Sequence, residues 1–148
     1  MSLEARIAAD LKTAMKAKDD AAKRGIRAIK AAILLAKTDG TGKELDEAGE
    51  IKMLQKLVKQ RKDSLDIYVK QGREDLADTE REEIAVIEKY LPEQMSEADL
   101  TEFIKGLIAQ TGANSMKDMG KVMGMASKQL AGKADGKTIS GIVKQLLA

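Results

Sequence analysis

Leu91-Pro92-Glu93-Gln94-Met95-Ser96-Glu97-Ala98-Asp99 holds the only proline of the 148-residue chain. The residue before a proline is pushed out of helical geometry, so a helix ends near Leu91. Ser96-x-x-Asp99 is a carboxylate variant of the capping box, the signature of a helix start. Leu91 to Met95 is therefore a boundary, and the sequence predicts two units, residues 1–92 and 93–148. Both sides read as all-α, because apolar residues recur at helical spacing and no stretch alternates as a strand does.

The first unit is predicted to be four-helix and bundle-like. Helix one runs from about Leu3 to Lys18, with Ser2 as cap and Leu3, Ile7, Leu11, Ala14 and Met15 in register. Asp19 or Asp20 caps a second helix reaching about Thr38, with Ala22, Ile26, Ile29, Ile33 and Ala36 on its apolar face. Asp39-Gly40-Thr41-Gly42 reads as a turn. Asp46 caps a long third helix that ends before Gly72 and carries Ile51, Leu54, Val58, Leu65 and Tyr68, with Arg61 in register. A fourth helix, about Arg73 to Tyr90, presents Leu76, Ile84, Ile87 and Leu91. Short connections favour antiparallel neighbours.

The second unit reads as three shorter helices. The first opens at Ser96 and ends at Gly112 in a left-handed cap. Ser115-x-x-Asp118 opens the next, with Met116, Met119, Met123, Ala126 and Leu130 as its stripe and Gly132 as its stop. Asp135 caps the last, which carries Ile139, Ile142, Val143, Leu146 and Leu147.

Composition narrows the chemistry. The chain has no Cys and no His. That excludes disulfides, the usual ligands of a zinc site, a thiolate nucleophile and an imidazole base. No metal and no cofactor is expected. The longest apolar run, Ala31 to Ala36, falls far short of the roughly 20 residues of a membrane span. Met1 to Leu11 mixes Glu4, Arg6 and Asp10 into its pattern, unlike a signal peptide. These features lead to the expectation of a soluble, cytoplasmic protein without membrane contact. Tyr68, Tyr90 and Phe103 are the only aromatics, too few for a base-stacking platform.

Charge is balanced overall, with 26 basic and 24 acidic residues, but unevenly placed. Lys23, Arg24, Arg27 and Lys30 sit on helix two, and Lys52, Lys56, Lys59, Arg61 and Lys62 on helix three. Helix four supplies Glu74, Asp75, Asp78, Glu80, Glu82 and Glu83. Such faces are either mutually satisfied, solvated surfaces or a docking surface for a partner. From Phe103 onward seven lysines face two acids, Asp118 and Asp135. Lys117, Lys121 and Lys128 share one face of helix six. Lys133 and Lys137 flank the next helix start, whose N–H groups and dipole favour anions. The tail is thus either a phosphate-binding surface or a solubilising lysine face. Gly120 and Gly124 each cost about 1 kcal/mol in a helix. Their spacing points to close approach by a neighbouring helix or by a nucleic-acid backbone. Gly132-Lys133-Ala134-Asp135-Gly136-Lys137-Thr138 is not a phosphate-binding P-loop: one residue is missing between its glycines and no strand precedes it.

Gly112-Ala113-Asn114-Ser115, then Met116 to Gly124 (MKDMGKVMG), Gly132 to Lys137 (GKADGK) and Ile142-Val143-Lys144-Gln145-Leu146-Leu147 resemble the C-terminal segment of the GatB/YqeY family. Arg61-Lys62-Asp63-Ser64, Gly72-Arg73-Glu74-Asp75-Leu76 and Tyr90-Leu91-Pro92-Glu93-Gln94 resemble the N-terminal part of YqeY-like members. GatB belongs to the amidotransferase that converts misacylated Glu-tRNA or Asp-tRNA to the amide form, and its tail domain of this type contacts tRNA. The resemblance therefore implies a relation to carbon–nitrogen ligases with glutamine as amido donor, and tRNA or structured RNA as partner.

It does not carry the activity with it. Ammonia release needs a Cys nucleophile or a Ser–Ser–Lys arrangement, and the serines here (Ser2, Ser64, Ser96, Ser115, Ser127, Ser140) have no paired neighbour in sequence. Glu82 and Glu83, the nearest to an acid–base pair, point apart on a helix. No catalytic residue is predicted. The expected RNA-binding residues are Lys117, Lys121, Lys128, Lys133, Lys137 and Lys144, with Gly120, Gly124 and Gly136 allowing close approach. The alternative is an adaptor that docks through residues 1–92 onto an amidotransferase or another protein.

Overall fold

A computed structural model describes residues 2–40 and 44–148. Among the described residues it contains seven α-helices and no strand: α1 (Leu3–Ala17), α2 (Asp20–Lys37), α3 (Glu47–Lys70), α4 (Glu74–Glu88), α5 (Glu97–Thr111), α6 (Met119–Gln129) and α7 (Gly136–Leu147). The turn expected at Asp39-Gly40-Thr41-Gly42 lies partly outside the described residues. The chain separates into two compact units, Met1–Leu91 and Pro92–Ala148.

Side-chain caps set most helix starts. Ser2 Oγ accepts from the Ala5 N–H at 3.1 Å, Asp19 from Ala22 at 3.0 Å, Asp46 from Gly49 at 2.7 Å and Ser96 from Asp99 at 3.1 Å. Of the two candidate caps for α2, Asp19 performs the task and Asp20 is the first helical residue. Each cap satisfies one N–H that the helix cannot. Arg73 makes no cap at α4; its guanidinium turns to the Asp75 carboxylate instead.

In the first unit the packing order is α1, α2, α4, α3. Helix α2 rests on α1 and α4, and α3 packs chiefly on α4 and only lightly on α2. The core joins Ile26, Ile29 and Ile33 of α2 to Ile84, Val86 and Ile87 of α4. A buried glycine, Gly25, sits at the α2–α4 crossing. A Cβ there would lie 2.5 Å from Val86 Cγ1 and 2.7 Å from Val86 Cβ. Those atoms stand at or next to the backbone of a packed helix and cannot swing aside, so the helices meet at this distance only because residue 25 has no side chain.

In the second unit α5, α6 and α7 all touch one another. Ile104, Val122, Ala126, Leu130, Ile139 and Val143 form the centre of its core. Gly112 ends α5 in the left-handed region at φ +72°. The chain just after Pro92 is tied to the α6–α7 turn: the Gln94 amide donates to the Pro92 carbonyl at 2.8 Å and to the Gly132 carbonyl at 2.6 Å, and the Met95 N–H donates to the Lys133 carbonyl at 3.0 Å.

The start of helix six departs from expectation. Ser115 is followed by a 3₁₀ turn, Met116–Asp118, before α6 begins. Three residues per turn instead of 3.6 breaks the register with α6. Met116 is therefore left 42 % exposed, while Val122, outside the expected stripe, is fully buried. The Asp118 carboxylate reaches back to the Asn114 N–H at 3.1 Å rather than to Ser115.

Gly25→Ala gains about 1 kcal/mol of helix propensity but overpacks the crossing, which typically costs about 1–3 kcal/mol. A net loss of up to about 2 kcal/mol is expected in urea unfolding. In a Val86→Gly background, which removes the Cβ as well as the methyl groups, the same substitution becomes neutral or stabilising, and a double-mutant cycle that shows simple additivity would disprove the contact's role.

Candidate nucleic-acid interface

On α6 the residues opposite the buried Val122 and Ala126 are Lys121, Gly124 and Lys128, three and four apart and hence neighbours on the helix surface. Gly120 adjoins them. On α7 the same composition recurs as Lys137, Gly141 and Lys144, spaced four and three apart on the side away from Ile139, Ile142 and Val143. Lys117 lies in the 3₁₀ turn and Lys133 in the α6–α7 turn. All six expected lysines are exposed, and none takes part in an ion pair among the described residues. The lysine that does pair in this unit is Lys105, with Glu102 at 3.4 Å.

The glycines on these faces have no packing reason to be glycine. A Cβ at Gly106, Gly120, Gly124, Gly136 or Gly141 would meet nothing within 4 Å. This settles the question left by Gly120 and Gly124: no neighbouring helix of the unit covers them. Gly106 and Gly141 escaped the sequence reading, since an isolated glycine in a helical pattern says nothing of the side it faces.

The start of α7 is a different matter. The Asp135 carboxylate accepts from the Thr138 N–H at 2.7 Å and from the Thr138 hydroxyl at 3.0 Å. A negative charge already sits at the dipole end where a phosphate would bind, so Gly136 and its flanking lysines do not form a free anion cup. The open lysine–glycine faces of α6 and α7 remain.

Some charges of the first unit meet across helices. Arg24 pairs with Glu82 at 2.6 Å, Arg61 with Glu83 at 3.8 Å and Lys62 with Glu88 at 3.9 Å. Within α4, Arg81 takes both Glu74 at 3.0 Å and Asp78 at 2.8 Å. Glu82 and Glu83 thus turn to different helices, as their adjacent positions require. Glu80 is held above the ordinary carboxylate range, first by burial and then by the charge of Glu83. Arg27, Lys30, Lys52 and Lys56 have no acidic partner among the described residues.

One polar cluster closes the unit. The Tyr90 hydroxyl donates to Asp10 Oδ2 at 2.5 Å, and the Arg6 guanidinium lies 5.1 Å from the Tyr90 ring centroid. Burial, then the hydrogen bond to Asp10, pushes the Tyr90 phenol well above its ordinary range. The folded state keeps its proton where the unfolded state gives it up, so this contribution is complete below about pH 10 and declines as pH rises above it. In a Tyr68→Phe background, the phenolate absorbance should rise together with the loss of helical circular dichroism. Ionisation near pH 10 with the helix signal intact would show the phenol to be free. The open glycines give a second expectation: Gly120→Ala, Gly124→Ala and Gly141→Ala should each raise stability by about 1 kcal/mol in thermal or urea unfolding.

Comparison with known proteins follows the whole chain. Residues 4–147 match the family described as Yqey-like protein. Three curated relatives carry the name "Altered inheritance of mitochondria protein 41, mitochondrial". The protein of Lachancea thermotolerans is 38 % identical over 108 residues, covering 72 % of this chain and 58 % of its own length. That of Kluyveromyces lactis is 35 % identical over 138 residues, 91 % of this chain and 70 % of its own. That of Saccharomyces cerevisiae strain YJM789 is 33 % identical over 132 residues, 88 % and 69 %. The chain spans about three-fifths of the length of the first of these relatives. Their names overturn the expectation of a cytoplasmic protein, for the relatives are mitochondrial proteins. The expectation rested on the lack of cysteine and of an apolar leader, and neither bears on that organelle, whose transit peptides are amphipathic and Arg-rich. On the match across residues 4–147 and on these identities, the chain belongs to the Yqey-like protein family.

Proposed function

We propose that the second unit, Pro92–Ala148, binds structured RNA, tRNA foremost, through the exposed faces of α6 and α7, and that the protein acts as a binding module with no amide-transfer chemistry of its own. The observation that carries this reading is the recurrence on two helices of an open glycine between two unpaired lysines, Lys121-Gly124-Lys128 and Lys137-Gly141-Lys144. Each glycine forgoes about 1 kcal/mol of helix stability without any packing gain. A face kept low between two ammonium groups lets a phosphodiester backbone come close to the helix while the lysines meet its charge. The likeness of this segment to the tRNA-contacting tail of GatB adds support.

Recognition of this kind reads shape and backbone. Side chains do not reach into the deep major groove of an A-form helix, and the unit has Phe103 alone as an aromatic. With three or four lysines engaged, log affinity should fall with log salt at a slope of roughly −2 to −4.

The test is a titration of bulk tRNA at two salt concentrations, with the intact protein and with Lys121→Ala/Lys128→Ala and Gly124→Ala variants. Salt-sensitive binding that is lost in the lysine variant and weakened in Gly124→Ala, a protein more stable than its parent, supports the proposal. Binding unchanged by both variants, or absent at low salt, rejects it. A glutaminase assay of the purified protein with ATP and charged tRNA is expected to show no ammonia release; release would instead reveal a catalyst.

A further inference from the structure

The two-helix layer of α1 and α2 has a side that no other helix of its unit covers. There a groove of about 570 Å³ runs between the N-terminal half of α1 and the C-terminal half of α2. Its floor and walls are Ile7, Ala8, Ile26, Ala31, Ile33 and Leu34. Leu34 is 63 % exposed and its neighbour Leu35 71 %, an unusual cost for two leucines on one helical turn. Along α2, Arg27, Ala31 and Leu34 follow each other at spacings of four and three, the seam spacing of a helix that receives another helix. From Arg27 to Lys37 the groove extends about 15 Å, close to three helical turns.

The unpaired charge of the rim has one sign. Arg27 and Lys30 stand along it with no acidic partner among the described residues, although Arg24 and Lys23 on the same helix each have one. The acid on the rim, Glu4, is already matched by Lys37 at 2.7 Å. An occupant with acidic flanks would complete Arg27 and Lys30, whereas a basic one would meet two unscreened cations. A second copy of this chain fits poorly. Outside the groove the exposed large apolar residues are Met15, Leu35, Ile67, Val69 and Met116. Ile67 and Val69 are two apart on α3 and point to different sides, so no described helix offers an exposed ridge long enough to fill three turns.

We infer that the α1–α2 groove is a docking site for an amphipathic helix of another protein, one whose apolar ridge is flanked by Asp or Glu. This is helix-in-groove recognition: the ridge covers Leu34 and Ala31, and the acids face Arg27 and Lys30. The inference rests on the first unit alone and is independent of RNA binding by the second.

The probe is a fluorescein-labelled peptide of about 18 residues, with leucines at i, i+4, i+7 and i+11 and glutamates on both flanks. Its control has lysines in place of the glutamates. Anisotropy titration with the full chain should show the acidic peptide binding about tenfold or more tightly than the basic one. Leu34→Glu should abolish binding. Arg27→Glu/Lys30→Glu should invert the preference while leaving tRNA binding unchanged. All three residues lie at the surface, and unaltered circular dichroism and melting confirm that each variant is folded. Equal binding of the two peptides, or binding retained by Leu34→Glu, overturns the inference. So does a dimer in size-exclusion light scattering that Leu34→Glu dissociates, since a second copy then fills the groove. Pelleting with phosphatidylcholine–cardiolipin vesicles that depends on Leu34, without peptide binding, overturns it in favour of a lipid surface.

Discussion

The approach of α4 to α2 at Gly25 governs the first unit. Helix α2 packs extensively on both α1 and α4, and α3 is held mainly through α4. Where α4 lies on α2 therefore decides where α3 lies. That placement depends on Val86 filling the space a Cβ at residue 25 would take. The arrangement also leaves α1 with one principal neighbour, which is why the α1–α2 layer keeps an open side with Leu34 on it.

The chain uses glycine inside helices in two opposed ways. At Gly25 the missing side chain is recovered as interhelical contact. At Gly106, Gly120, Gly124 and Gly141 nothing recovers it. Charge follows the same division. In the first unit four cations, Arg24, Lys37, Arg61 and Lys62, meet acids of other helices, and exposed pairs of this kind contribute little energy. In the second unit the lysines of α6 and α7 are unmatched, and Asp118 and Asp135 are spent on backbone N–H groups at helix starts.

Much of this was legible beforehand. The helices could be read because Ser2, Asp19, Asp46, Ser96 and Asp135 are side chains that outcompete water for the first N–H groups, a local property that sequence records directly. Helical periodicity gave the buried faces of α2 and α7 nearly residue by residue. What failed depended on distant partners. Gly25 drew no reading from the sequence, because its role shows only once Val86, far along the chain, is placed against it. Met116 reads as core until the 3₁₀ turn breaks its register with α6. Gly120 and Gly124 were informative by spacing, yet whether they faced a helix or open space needed the packing of all three helices. The groove between α1 and α2 had no signal of its own, since Leu34 and Leu35 look like any apolar run.

The hydrogen bond between Tyr90 and Asp10 joins residues 80 apart, near the two ends of the first unit. On a ribosome, α1 and α2 emerge and pair early, because their contact is local. Helix α3 then emerges ahead of its main partner, α4, and Tyr90 follows α4. For that interval the apolar face of α2 destined for Val86 and Ile87 has no cover, and neither does α3. The unit closes late and nearly all at once, when its last helix arrives, so a nascent chain stalled before α4 would expose apolar helix faces to whatever chaperone or aggregate reaches them first.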